Sequence, residues 1–359
     1  MSSRWWSPLS SFRRSSTRLP EAAEATALAG PAAPGTPAAE PSAPARSAHA
    51  PPHDAALHAR FVGWLLAEPA SGVDSVGETA QAADAMLRLW KRLDEVAASP
   101  TLRAALLPRA PHVVPQLMKT LRDGDYSSVD VASRISRDVV LSAEVIRSAS
   151  SAYQRCDDGG EGEIDLARAV TIIGTQGLRR AIASVVLKPI FDGRGGTLSA
   201  RAAAQIWLDA DRKARLCAVL ASEGDLDPFD GYLAGLLHNT GWTAALRAID
   251  DFAPELTVTA RELARVEVVP LLEQRCDALF GALVGPWQLS RAVDGLAAEL
   301  GRESLAAATS PLAASLREAV RLSAWHALLP AGHLPAASVP DWDAVAQPVQ
   351  DCYRALSRG

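Results

Sequence analysis

Cysteine is scarce in this 359-residue sequence, and its four copies lie far apart. Cys156, Cys217, Cys276 and Cys352 include no C-x-x-C pair. The sequence therefore favours neither a zinc knuckle nor a disulfide framework, and it suits a reducing compartment. The first residues also lack the apolar core of a secretory signal. We therefore expect a cytoplasmic protein.

Long apolar runs and an excess of positive charge are lacking as well. No stretch approaches the roughly 18 to 20 uninterrupted apolar residues of a membrane-spanning helix, so we expect no transmembrane segment. The chain carries 36 Lys and Arg against 41 Asp and Glu, a net charge of −5. Such a balance supplies no overall field to hold a polyanion. Nucleic acid is therefore not expected as a partner.

The first 52 residues differ in composition from the rest. Residues 1–18 contain four Arg, no acidic side chain and the pair Trp5-Trp6. Residues 19–52 are mostly Ala, Pro, Gly, Ser and Thr, which bury too little apolar surface to offset the entropy of ordering. We predict a disordered tail over 1–52 with a basic, Trp/Arg-containing start. A solvated tail is favoured, and docking to a membrane surface or a partner is the alternative.

Helical periodicity begins near residue 54. Two amphipathic stripes predict an N-terminal helical extension over 53–99, and the second stripe ends before Pro100, where proline disfavours continuation. The first stripe is Leu57, Phe61, Trp64 and Leu65, and the second is Ala82, Ala85, Met86, Leu89, Trp90, Leu93 and Val96.

The remainder also predicts an all-α fold. Asp138 precedes one apolar stripe, Asp165 opens another that Gly174 ends, and Ser199 opens a long helix to Leu220. No strand-like alternation of useful length is present. The glycine-rich break at 192–196 lacks the flanking strand and Gly-Lys-Ser/Thr of a phosphate loop, so it is a weak signal.

Several spaced motifs between residues 106 and 250 resemble HDOD (HD-related output) domains. A Leu-Pro-x-x-Pro entry, an Ala-x-x-Ile segment and an Asp-led helix ending in small residues and an aromatic form the first part. Its matching residues are Leu107, Pro108, Pro111, Ala132, Ile135, Asp138, Leu141, Ile146, Ser150, Ser151 and Tyr153.

Two further motifs extend the resemblance. One is carried by Ile164, Ala169, Ile173, Gly174, Leu178 and Arg179, and Trp207 is expected to start the family's central helix. The other resembles Ala-Gly-Leu-Leu-His-Asp-Ile-Gly, and it matches at Gly235, Leu236, Leu237, His238 and Gly241. Asn239 and Thr240 depart from it.

The resemblance to HDOD domains links the chain to HD phosphohydrolases, in which adjacent His and Asp bind a catalytic metal with further ligands. Here Asn239 offers a neutral amide in place of the carboxylate. Cys276 or Asp277 and then Leu300-Gly301 stand where further His would be expected. We therefore predict no metal, no cofactor and no catalytic residue, and a structural His238 at an apolar helix end.

Two other features are interpreted as structural. The apolar segment 179–191 is favoured as core over a recognition groove. The pair Asp250-Asp251 lies beside turn residues, which is typical of a solvated loop.

The predicted organisation is an HDOD domain over 100–305 and a C-terminal helical extension over 306–359, which either docks back or engages a partner. The resemblance implies a non-enzymatic regulatory protein in bacterial signal transduction, with other signalling proteins as partners. The alternatives are a divergent metal-dependent phosphohydrolase acting on a nucleotide, and a module that senses a nucleotide second messenger without turnover.

Overall fold

The computed structural model describes residues 54–66, 80–107, 139–153, 166–192, 196–252, 259–334 and 340–357. The described residues belong to one compact unit, 50–359, and their regular secondary structure is helical throughout. This confirms the all-α prediction. The predicted tail over 1–52 lies outside the described residues. Pro108, Pro111 and Asp138 of the family motifs also lie outside them.

Twelve α-helices occupy these ranges. They are α1 Asp54–Leu65, α2 Ala80–Ala98, α3 Pro100–Leu106, α4 Val139–Tyr153, α5 Leu166–Leu187, α6 Thr197–Glu223, α7 Pro228–Phe252, α8 Ala260–Leu263, α9 Val269–Val284, α10 Arg291–Leu300, α11 Pro311–Leu328 and α12 Gln347–Leu356. Short 3₁₀ turns cover Lys188–Phe191, Gly285–Trp287 and Trp342–Ala344. Ser151 and Tyr153 lie in the last turn of α4.

The first two helices lie where the apolar stripes predict them. Helix α2 ends at Ala98, as Pro100 requires. The Ser99 hydroxyl then accepts a hydrogen bond from the Leu102 N–H at 3.4 Å, and Pro100 occupies the first turn of α3. An N-cap followed by proline starts a helix well, so the chain turns between two helices without a loop.

Helix α7 is the centre of the fold. Every residue from 231 to 249 is buried, and the helix contacts α2, α3, α5, α6, α9, α10 and α11. A helix that is apolar nearly all round is stable only when it is enclosed in this way. The expectation that Trp207 starts the central helix was wrong, because Trp207 lies inside α6. Its half-buried ring packs against Phe191, with ring centroids 5.7 Å apart.

Helix α6 begins at Thr197, two residues before the predicted Ser199. The Asp250 carboxylate in α7 accepts hydrogen bonds from the Leu198 and Ser199 N–H groups at 2.9 and 2.8 Å, and from the Ser199 hydroxyl at 2.6 Å. A carboxylate at a helix N-terminus satisfies free N–H groups and matches the helix dipole. The interpretation of Asp250 as part of a solvated loop was therefore wrong.

Helix α5 contains the predicted break. Gly174 has φ 62° and ψ −173°, a backbone conformation that is nearly confined to glycine. The segment 179–191 then supplies Ala183, Leu187, Ile190 and Phe191 to the core, in line with the predicted core role.

By length and composition, Arg168–Phe191 is one helical stretch among the described residues that could cross a membrane. Core helices of soluble proteins pass the same test. Arg179 and Arg180 lie near its middle, where a bilayer would accommodate charge only at high cost. The expected lack of a transmembrane segment remains a prediction.

The C-terminal helix docks back on the domain, which is one of the two predicted arrangements. Val349 and Tyr353 are buried, and α12 packs against α6. The Trp342 and Tyr353 rings meet edge to face at 4.8 Å, and the Gln350 side chain donates to the Trp342 and Val345 carbonyls at 2.9 Å each. The 3₁₀ turn before α12 is thereby held to it.

Two glycines set how closely α7 approaches its neighbours. A Cβ on Gly235 would lie 2.5 Å from the backbone carbonyl of Lys213 in α6. A Cβ on Gly241 would overlap the Cys276 carbonyl oxygen in α9. Both glycines match the family motif in the sequence, and the close approach they permit is a physical reason for glycine at these positions.

We expect Gly241→Ala to lower the free energy of unfolding by about 1–3 kcal/mol, because backbone must move to admit the methyl group. Gly295→Ala is the matched control. Gly295 also lies within a helix, but its Cβ would meet nothing within 4 Å, so alanine should stabilise by about 0.5–1 kcal/mol. Urea unfolding of both variants checks this, and equal effects would contradict it.

Candidate functional site

His238 lies in the middle of α7, as its eleventh residue, and not at a helix end as predicted. It is 5% exposed, and both ring nitrogens face charged side chains. The Lys213 ammonium lies 3.1 Å from Nδ1, and an Asp277 carboxylate oxygen lies 3.0 Å from Nε2. The predicted hydrogen-bonded, structural histidine fits these contacts.

The Lys213 ammonium lies at the centre of this buried cluster and contacts three of its side chains. Besides His238 Nδ1, it contacts the Asn239 Oδ1 atom at 2.5 Å and the Asp209 Oδ2 atom at 2.9 Å. An ammonium has three protons to donate, so each has one acceptor. Lys213 is 2% exposed, which leaves no access for water to compete.

Asp209 is the carboxylate that pairs with the Lys213 ammonium. Its Oδ2 also accepts from Asn239 Nδ2 at 2.9 Å, and its Oδ1 accepts from the Ser323 hydroxyl at 2.6 Å. Burial alone would raise the pKa of this carboxyl. The charges of Lys213 and Arg212 together with the hydrogen bonds outweigh burial, and the pKa lies below its ordinary value. Asp209 is therefore ionised at neutral pH.

Asp277 completes the chain of contacts. Its second oxygen, Oδ2, accepts from the Leu305 N–H at 2.7 Å and so fixes the segment after α10. The sequence left open whether Cys276 or Asp277 stands where the family has a further His. In the structure it is Asp277 that contacts His238. The Cys276 thiol is buried, and burial raises its pKa well above the ordinary value. A thiol of this kind is unreactive.

The proton arrangement of His238 follows from its neighbours. The pKa of His238 lies below its ordinary value of 6.5 because of burial and the Lys213 charge, which Asp277 offsets only in part. The neutral ring then donates from Nε2 to Asp277 and accepts at Nδ1 from Lys213. Both contacts are satisfied in this single tautomer.

A divalent metal does not fit among these side chains. An imidazole nitrogen, an amide oxygen and a carboxylate oxygen converge as metal ligands would, but the Lys213 ammonium lies 2.5–3.1 Å from all three. A second cation there would meet the ammonium directly. Leu300 and Gly301 offer no ligand, and Gly301 packs against Gly281. Within the described ranges, no group of three or more His, Cys, Asp or Glu could hold a metal.

Sequence reasoning missed Lys213 and Ser323. A signal for Lys213 was present, because an Asp and a Lys four residues apart share the face of α6 that carries the apolar Ile206, Ala210 and Ala214. A charged pair on a buried stripe is unusual enough to flag a buried ion pair. Nothing local identifies Ser323, which lies 114 residues from Asp209.

Residues 107–299 match the sequence profile of the HDOD domain. The chain belongs to the HDOD domain family. This confirms the resemblance, and His238, Lys213 and Asp277 all fall inside the matched HDOD region.

One protein of Treponema pallidum (strain Nichols), of uncharacterised function, is 27% identical to this HDOD chain over 194 residues. The match takes 51% of this chain, and it spans only 34% of the relative's length.

Solved structures are also similar to this chain. One from Shewanella amazonensis SB2B, described as a putative metal-dependent phosphohydrolase, aligns with a TM-score of 0.50 at 19% identity, over 78% of this chain and 99% of that one. An HDOD domain protein of unknown function from Geobacter sulfurreducens aligns with a TM-score of 0.47 at 21% identity, over 76% and 90%. At 19% identity, the likeness to the Shewanella structure concerns the fold alone.

We expect Lys213→Met to cost about 3–5 kcal/mol of unfolding free energy, because it leaves the Asp209 carboxylate buried without its cation. Adding Asp209→Asn should recover part of that loss. The control is Arg88→Met, which breaks the exposed Asp84–Arg88 pair of the same i,i+4 spacing and should cost at most about 1 kcal/mol. Urea unfolding of these three variants and of Asp209→Asn alone measures the effects, and a double variant whose loss equals the sum of the two single losses would contradict the coupling.

Stability should fall as the pH drops below about 6.5. The folded-state pKa of His238 is lowered, and burial lowers that of His326 to about 4. The unfolded chain therefore binds more protons than the folded chain in this window, and the histidine contribution is complete only above pH 6.5. For the buried His238 the slope approaches about 1.4 kcal/mol per pH unit.

Urea unfolding between pH 7.5 and 5 measures this slope. His238→Asn should reduce it, and His326→Asn should reduce it as well, because a folded-state pKa of about 4 lies below this window. A slope that neither variant changes would show that other groups set the acid sensitivity.

Proposed function

We propose that this HDOD protein is a non-enzymatic regulatory protein of bacterial signal transduction that acts in the cytoplasm by binding other signalling proteins. The observation that carries the proposal is the Lys213 ammonium at the point where the HD-type side chains converge. A fixed monovalent cation there satisfies His238 and Asn239 without the chemistry that a metal would supply.

Metal-dependent phosphoester hydrolysis needs a cation with an open position for water and substrate. In this cluster the ammonium has no such position, since its three protons have acceptors in His238, Asn239 and Asp209. The side chains of Asp209, Lys213, His238 and Asn239 are all at least 95% buried. Neither water nor a phosphoester reaches them without opening the seam between α6 and α7.

The enzyme alternative has one observation in its favour, the fold shared with a structure described as a putative metal-dependent phosphohydrolase. Fold alone does not carry function, because function depends on the residues at the site. At 19% identity the likeness says nothing about ligands. The regulatory proposal is therefore the better supported of the two.

Metal analysis and a hydrolysis assay test the first half of the proposal. We expect the purified chain to hold no stoichiometric manganese, iron or magnesium, and to hydrolyse neither a nucleotide nor a p-nitrophenyl phosphodiester. Stoichiometric metal together with hydrolysis that His238→Ala abolishes would overturn the proposal.

A gain-of-binding variant sharpens the test. Lys213→Ala combined with Asn239→Asp removes the ammonium and adds a carboxylate next to His238. This variant should show Mn²⁺-dependent thermal stabilisation, while Asn239→Asp alone, with Lys213 retained, should not. Equal Mn²⁺ responses in both would mean that the ammonium does not exclude the metal.

Partner binding tests the second half. The tagged full chain is expressed in the bacterium that encodes it, and captured proteins are identified and then purified. We expect at least one signalling protein to bind the purified chain directly in calorimetry. If no captured protein binds directly, the regulatory proposal loses its mechanism.

A further inference from the structure

A cleft of about 480 Å³ opens on the side of α6 away from the buried cluster. Residues of α4, α5, α6, α7 and α12 line it. Its apolar wall includes Ile172, Ile173 and Val219, and three arginines, Arg147, Arg180 and Arg215, also line it. The volume is in the range of small-molecule sites.

Two of the three arginines already have carboxylate partners. Arg147 contacts Glu144 at 2.5 and 3.0 Å, and Arg215 contacts Asp211 at 2.9 Å. The remaining acid of the cleft, Asp351, pairs with Arg354 at 3.0 Å. The acidic side chains that line the cleft are thus engaged with other cations.

Arg180 is the third arginine of the cleft, and it differs from the other two. Its side chain is half-buried, it forms no ion pair with the described residues, and its Nε atom is buried without a hydrogen-bond acceptor. The guanidinium lies 5.7 Å from the centroid of the Tyr232 ring. This cation–π contact is the main compensation that the described part of the chain offers for its burial.

A half-buried arginine cannot relieve its charge by losing a proton in the physiological range. Burial lowers the pKa of Arg180, but an arginine side chain stays protonated at physiological pH all the same. A planar guanidinium with free donors is well suited to a phosphate or carboxylate, which it binds through two parallel hydrogen bonds. The apolar wall beside it suits the body of an organic molecule more than a bare inorganic ion.

We propose that this cleft binds a small organic anion, whose phosphate or carboxylate pairs with Arg180 and whose flat apolar body lies against Ile172, Ile173 and Val219. The site is separate from the His238 cluster, so the inference goes beyond the regulatory function and stands whether or not that function holds. Nucleoside monophosphates and aromatic carboxylates share this chemistry.

Calorimetric titration of the full chain tests the site. The probes are AMP and GMP for the phosphate source, 1-naphthoate for the carboxylate source, and adenosine and inorganic phosphate as fragments. We expect saturable binding of at least one organic anion with a Kd at or below about 1 mM. Each fragment should bind at least ten times more weakly, because it lacks either the anion or the apolar body.

Arg180→Gln should weaken the binding at least tenfold, and Arg180→Lys less, because it retains the charge without the planar donors. Arg179→Gln is the matched control. Arg179 is the neighbouring residue on α5, but its guanidinium lies over the Phe229 ring at 5.9 Å and does not line the cleft. Affinity should be unchanged in this control.

A second variant guards against misfolding. Val219→Trp leaves Arg180 in place and fills the cleft, so it should also abolish binding while circular dichroism stays native-like. No saturable heat with any organic anion, or equal affinity in Arg180→Gln and the native chain, would overturn the proposal. Neither result would bear on the metal content or the partner binding tested above.

Discussion

The buried ion pair between Lys213 and Asp209 is the constraint on which the rest of the structure depends. A buried pair offsets its desolvation only when every donor and acceptor finds a partner. Lys213 reaches that state by bringing α7 within contact through His238 and Asn239, and Asp209 by reaching α11 through Ser323. The pair therefore specifies how three helices pack, and the missing Cβ of Gly235 allows the approach.

The identity of residue 239 follows from the same pair. The Asn239 amide accepts from the ammonium with its oxygen and donates to the Asp209 carboxylate and the Ile206 carbonyl with its nitrogen. An aspartate at position 239 would have no proton to donate at neutral pH. Its carboxylate and that of Asp209 would then repel each other, with only the Lys213 ammonium to offset them. Asn239 and Lys213 are thus a matched pair, and the amide that departs from the HD motif suits a lysine 26 residues earlier.

Local signals predicted most of the fold, and long-range contacts explain what they missed. The end of α2 before Pro100 and the break at Gly174 depend on a residue's own backbone, so the sequence reveals them. The Asp250 cap on α6 spans 52 residues, and the contact between His238 and Asp277 spans 39. Sequence patterns over a few turns of helix give no indication of contacts between residues so far apart. The resemblance placed Asp277 near the site but could not choose it over Cys276.

Helix α6 connects the two features that matter most for function. Asp209 and Lys213 lie on its inner face, and Asp211, Arg215 and Val219 form a second stripe at the same spacing of four residues that lines the cleft. Two residues of offset correspond to about 200° of rotation, so the stripes face opposite sides of the helix. An anion in the cleft would therefore act on a helix whose other face is fixed by the buried pair. Because interiors are close-packed, any response would involve the whole helix and not a single side chain.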